Sequence, residues 1–152
     1  MTEQSEKSHL ERPKGVTIIA IINAVGFLVT LLFWGLVFFK HLVPAPGELT
    51  TATERANAAT TYGFMIGDIL WSAPLLFFAT TGLWRPRPWG WMSAQMVNAL
   101  WIYSMTVIWT RDAYNAISPG ALLFTPFAVA ALWATFYLWN HRDLFWAART
   151  SP

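Results

Sequence analysis

The chain has 152 residues, 55% of them hydrophobic and only 12% charged, about half of the roughly 25% charged content of ordinary soluble domains. The charges are clustered, and the four apolar stretches between them each approach or exceed the ~20 residues that cross a bilayer core as a helix, which excludes a water-soluble globular domain. The net charge of +2 and pI near 9.2 favour anionic lipid headgroups over nucleic acid, and with no cysteine there are no disulfides, thiol nucleophiles or thiolate metal sites.

The pattern predicts an all-α integral membrane four-helix bundle over residues 15–140, between cytoplasmic tails 1–14 and 141–152. A membrane β-barrel is excluded, because the runs lack strict in/out alternation and barrels begin at about eight strands. Met1 to Lys14 is polar and expected to be disordered. The first span, 15–39, is too long for a signal-peptide core of about 7–15 residues and has no small-x-small cleavage site, so it is expected to stay; it carries Asn23 and Thr30. The polar "PAPGELTTATERANAATT" that follows contains a short surface helix over Thr50 to Thr60, placed to act as a lid over the Asp68 end of the second span.

The second span, 62–84, holds Asp68, Trp71, Ser72 and Pro74, and "RPRPWGW" after it is a tight turn because its prolines block helix continuation. The third, 89–110, carries Gln95, Asn98, Trp101, Tyr103, Ser104 and Thr106, and the fourth, 118–139, carries Thr125 and Pro126. Lys7, Arg12, Lys14, Arg85, Arg87, Arg142 and Arg149 collect on one side, against Lys40, Arg55 and Arg111 on the other. The positive-inside rule then puts both termini in the cytoplasm, in a plasma (inner) membrane, with 42–61 and the 111–117 turn outside. Trp34, Trp84, Trp89, Trp91, Trp109 and Trp139 near span ends read as interfacial anchors.

Laid over itself with a shift of 75 positions, the chain matches Arg12, Pro13, Gly15, Asn23, Ala24 and Trp34 with Arg87, Pro88, Gly90, Asn98, Ala99 and Trp109. Two readings stand: two tandem duplicated helical hairpins related by an axis along the membrane normal, or the recurrence of residues that suit any membrane helix end. Under duplication Asn23 and Asn98 lie at equal depth and hydrogen-bond across the axis as structural glue.

Asp68 has an apolar counterpart, Leu123, in that register, so it belongs to one half only. An ionised carboxylate inside the bilayer costs about 2–3 kcal/mol on insertion scales, and such residues face the bundle interior or a wet cavity. It needs a partner, a proton or water; Ser72 and the Trp71 indole are the donors its own helix offers. No lysine or arginine lies deep in any span. The functional readings are proton exchange, a counter-ion for a cationic ligand or an acid acting on an apolar substrate; the alternative is helix packing. With Asn98, Trp101, Tyr103 and Thr125, Asp68, Trp71 and Ser72 make a candidate aromatic pocket suited to an amphiphilic cation through charge and cation–π attraction. Pro74 and Pro126 are structural, each removing a backbone hydrogen bond and kinking its helix.

"GDILWSAPLLFF", with an acid six residues before a proline, and "SPGALLFTPF", together with a long outer loop after the first helix and Asp112 closing the third, resemble the EXPERA domain of emopamil-binding sterol isomerase and the sigma-two receptor. The resemblance implies a four-helix fold and a pocket for sterol-like or cationic amphiphilic ligands, with Asp68 matching the second-helix acid. The first span has no acid to pair with Asp68 and no histidine is embedded in a span, so the isomerase's proton-shuttling set is missing and ligand binding is what the resemblance leaves.

His9, His41 and His141 lie in a tail or at span boundaries, where they cannot pair across a haem, and no cluster has metal-ligand spacing. No cofactor, metal or catalytic residue is expected. The expected function is to bind or translocate a small apolar or cationic amphiphilic ligand among membrane lipids. The alternative is a non-catalytic accessory subunit or homo-oligomer in a larger membrane complex, packing through small residues such as Gly26 and Gly35.

Overall fold

The computed structural model describes residues 12–114 and 119–147, and every regular element among them is helical. The order is α1 (Lys14–Phe39), a 3₁₀ turn (Pro46–Glu48), α2 (Ala52–Gly67), a π-helical segment (Asp68–Ser72), α3 (Ala73–Trp84), α4 (Pro88–Tyr114), α5 (Pro119–Asn140) and a short α6 (Asp143–Ala147). α2, the π segment and α3 run on as one helical path of 33 residues. The helix expected over Thr50 to Thr60 is therefore the start of this path and not a separate lid. Residues 1–11, 115–118 and 148–152 lie outside the described residues, and Arg111 to Tyr114 of the expected 111–117 turn belong to α4.

Local chemistry sets the breaks. α1 ends in a Schellman turn: the Leu42 N–H donates to the Val37 carbonyl at 3.1 Å and the His41 N–H to that of Phe38 at 3.4 Å, with His41 at φ 48° in the position glycine usually fills. α2 begins at a capping box, where the Thr51 hydroxyl accepts from the Glu54 N–H at 3.2 Å and the Glu54 carboxylate accepts from the Thr51 N–H at 3.3 Å. α3 and α4 are separated by Arg85, Pro86 and Arg87, with Pro88 opening α4, and the Arg87 N–H closes the turn on the Gly82 carbonyl at 2.8 Å.

α1 lies along α3, α3 along α4 and α4 along α5, while α1 and α5 meet only sparsely. At the end of the bundle that carries the 85–88 turn, packing is dense. Gly82 and Gly90 bring two backbones together, and a methyl on either would land on backbone atoms of the other. Gly15 is covered in the same way by the Tyr137 ring. Val16, Ile19, Leu83, Val97 and Leu138 are fully buried there, and α6 folds back to bury Phe145 with them. Polar ties lock this end: the Arg12 guanidinium donates to the Trp84 carbonyl at 2.6 Å and stacks over its ring, and the Trp91 indole donates to the Leu138 carbonyl at 2.9 Å.

The outward faces are also apolar. Ile21, Leu28, Leu32, Leu122 and Phe136 are all exposed, and a helix that is hydrophobic all round needs a nonaqueous surrounding. Among the described residues three helical stretches, Lys14–Phe39, Ala52–Trp84 and Ala121–Asn140, are long and apolar enough to cross a membrane. α4 is as long but is not among them: Gln95, Asn98, Ser104, Arg111 and Asp112 dilute its hydropathy.

Candidate ligand site at Asp68

The π segment prepares the site. The Ala73 N–H reaches back five residues to the Asp68 carbonyl, and Pro74, next in line, has no N–H to offer. The widened turn thus absorbs the proline, as π-bulges do inside otherwise regular helices. Asp68 is its first residue, about 24 Å along the helix from the Trp84 end at ~1.5 Å per residue.

Both carboxylate oxygens are held. The Trp34 indole of α1 donates to Oδ2 at 2.9 Å and the Ser72 hydroxyl donates to Oδ1 at 2.9 Å. A carboxylate offers about four acceptor positions, so these two donors fix its orientation and leave acceptor capacity on each oxygen. Among the described residues no ion pair involves Asp68.

The carboxylate lies on the wall of a cavity of about 230 Å³ between all four helical paths. Thr30, Phe33 and Trp34 come from α1, Trp101, Ser104 and Met105 from α4, and Ala121 and Phe124 from α5, with Arg111 toward the loop end. The aromatic rings brace one another: Phe33 meets Phe124 edge-on at 5.6 Å and Trp101 stacks on Phe127 at 5.3 Å. On the outer side of the same wall, a groove of about 300 Å³ runs between the α2–π path and α4 past Gly63, Gly67, Trp71 and Tyr103. Cavity and groove share Phe64, Asp68, Ser72, Leu100 and Ser104. Asp68 is therefore reached from the bundle interior and from the bundle surface.

Of the residues singled out in the sequence, Asp68, Ser72 and Trp101, with Thr30 and Ser104, line the cavity. Trp71 and Tyr103, about two-thirds exposed, line only the groove. Asn98 and Asn23 stand nearer the turn end, around a separate small cavity. The Asn23 amide donates to the Ile19 carbonyl at 2.8 Å rather than to Asn98. Thr125 lies apart, accepting from the Trp109 indole at 3.1 Å and donating to the Ala121 carbonyl at 2.7 Å. Pro126 is inside α5.

The indole on the carboxylate belongs to Trp34, not to Trp71. Trp34 reads as an interfacial anchor in the sequence, yet it is buried. The signal was the hairpin itself: Trp34 stands five residues before the expected end of the first span and Asp68 six into the second, which is the same depth. Phe33 and Phe124, the aromatic partners across the cavity, carry no such mark in the sequence. Among the described residues no group of three or more histidine, cysteine or acidic side chains could hold a metal ion. Comparison of the chain with protein-family models, with characterised proteins and with solved structures gives no match.

Proposed function

We propose that this chain is an integral membrane four-helix bundle that binds or translocates a small amphiphile, with Asp68 holding the ligand's cationic head and the Phe33–Trp101–Phe124 wall its apolar body. In this reading α4 is the fourth span, with its Asn98 and Asp112 buried, and both termini face the cytoplasm on the side rich in arginine and lysine. The observation that carries it is a carboxylate oriented by two neutral donors on the wall of an aromatic cavity. Charge and the faces of aromatic rings together select an ammonium group over a neutral head. A packing aspartate would gain nothing from a cavity beside it. The groove past Gly63 and Gly67 gives an amphiphile a route from lipid to the carboxylate.

The test is native mass spectrometry of the detergent-extracted chain, wild type and Asp68→Asn, titrated with dodecylammonium and with dodecanol. The wild type retains the ammonium adduct at concentrations at least about tenfold below those needed for the alcohol, and Asp68→Asn loses that preference. Equal retention of both probes by both proteins would remove Asp68 as the anchor. Stable attachment to other protein chains, unchanged by the substitution, would favour the accessory-subunit reading.

A further inference from the structure

The cavity at Asp68 carries a second charge, of opposite sign. Arg111 lines it too, and among the described residues every other side chain on its wall is uncharged. Along α4 the lining residues Leu100, Ser104, Ile108 and Arg111 recur at steps of three and four, so Arg111 belongs to the stripe that faces the cavity. Ser104 borders both the cavity and the groove in company with Asp68, which puts those two at one depth. Arg111 stands two helical turns further toward the loop end, about 10 Å along the helix.

Among the described residues Arg111 pairs with Asp112 and not with Asp68. The buried Asp112 accepts from Nε at 2.9 Å and from Nη2 at 2.7 Å on one oxygen, which holds the guanidinium in place while the Arg111 side chain stays 41% exposed. The five N–H donors of a guanidinium let one arginine serve two anionic groups. Between the two charges the wall is apolar, with Phe33, Phe64, Ile108 and Phe124 on it. We infer that the ligand is a zwitterion charged at its two ends: an ammonium at Asp68, an apolar chain of about 10 Å along that wall, and a carboxylate or similar small anion at Arg111. This rests on the reading of Asp68 as an ammonium anchor and adds the class of ligand. A compact zwitterion such as an α-amino acid is too short to meet both side chains, and a simple alkylammonium leaves Arg111 unused.

The test is native mass spectrometry of the full chain in mild detergent, titrated with 8-aminooctanoate and with 8-aminooctanamide. Both probes carry the same ammonium on an eight-carbon chain that extends about 10 Å, and only the first ends in an anion. The wild type retains the acid at concentrations at least about tenfold below those needed for the amide, the gain expected of one hydrogen bond between charged groups. Arg111→Gln abolishes that preference and still binds the amide, whereas Asp68→Asn weakens both. Because Arg111→Gln also removes the partner of a buried carboxylate and can unfold the chain, a length series on the wild type is the second readout: 4-aminobutanoate shows no preference over its own amide. An equal preference for the acid at both lengths, or none at eight carbons, overturns the inference, and binding of 8-aminooctanamide that depends on Asp68 then leaves the ammonium anchor standing. A wild type that retains neither eight-carbon probe removes the anchor and this inference with it.

Discussion

The two ends of this bundle are built from similar residues and packed in opposite ways. At the turn end, glycines bring backbones into contact, and Leu83 and Leu138 are fully enclosed. At the loop end, Gly35, Gly63 and Gly67 have nothing within 4 Å of where a side chain would start, and aromatic side chains surround a cavity instead of filling it. Inside a bilayer, apolar side chains gain little by leaving lipid, so helix association rests on close packing and interhelical hydrogen bonds. The turn end holds the fold, and the loop end is free to be hollow.

The largest effect expected from this contrast is Gly90→Leu. The new side chain begins where the Gly82 backbone already lies, no rotamer relieves the overlap, and the variant should give no monodisperse folded species on size exclusion in mild detergent. Next is the pair Leu83→Ala and Phe124→Ala. Leu83 is fully buried, and its truncation should cost about 2–5 kcal/mol. Phe124 already borders the cavity and loses fewer contacts, so its truncation should cost about 1–2 kcal/mol. Unfolding curves that rank these two in reverse would mean that the cavity is filled in the native protein. Trp34→Phe should cost about 1 kcal/mol, the net value of one hydrogen bond, and should weaken the preference for an ammonium probe by leaving Oδ2 unoriented.

The helical character and the approximate positions of the long helices were legible in the sequence because they rest on composition, although the second helical path starts at Ala52 and not at Tyr62; Asp68 stood out as one conspicuous residue. What surrounds Asp68 was less so. Which of two tryptophans meets the carboxylate depends on how α1 is rotated, and α1 is apolar on all sides, so its periodicity does not say which face turns inward. The π segment was equally hidden: Pro74 signals a disturbed hydrogen bond but not whether the helix kinks or widens. Asn23 and Asn98 border one small cavity without the hydrogen bond that the duplication reading expected, and that cavity is bordered by the short side chains of α5, Ala131 and Ala134, whose placement no local pattern reveals.

The smallest expected effect is also the one that changes sign. Gly63→Ala and Gly67→Ala put a methyl into open space on a regular helix, where replacing glycine by alanine stabilises by about 0.5–1 kcal/mol because less backbone entropy is lost on folding. The same change at Gly82 should destabilise, by about 1–3 kcal/mol or more, since it overpacks a backbone contact. One substitution thus reports on both ends of the bundle, through the sign of the shift in Tm measured in the same detergent. If Gly67→Ala destabilises instead, its groove is a packed surface in the native protein, and a helix from a second chain is the occupant that a methyl would exclude. Gain of stability with slower uptake of the ammonium probe, by contrast, is what a groove leading to Asp68 requires.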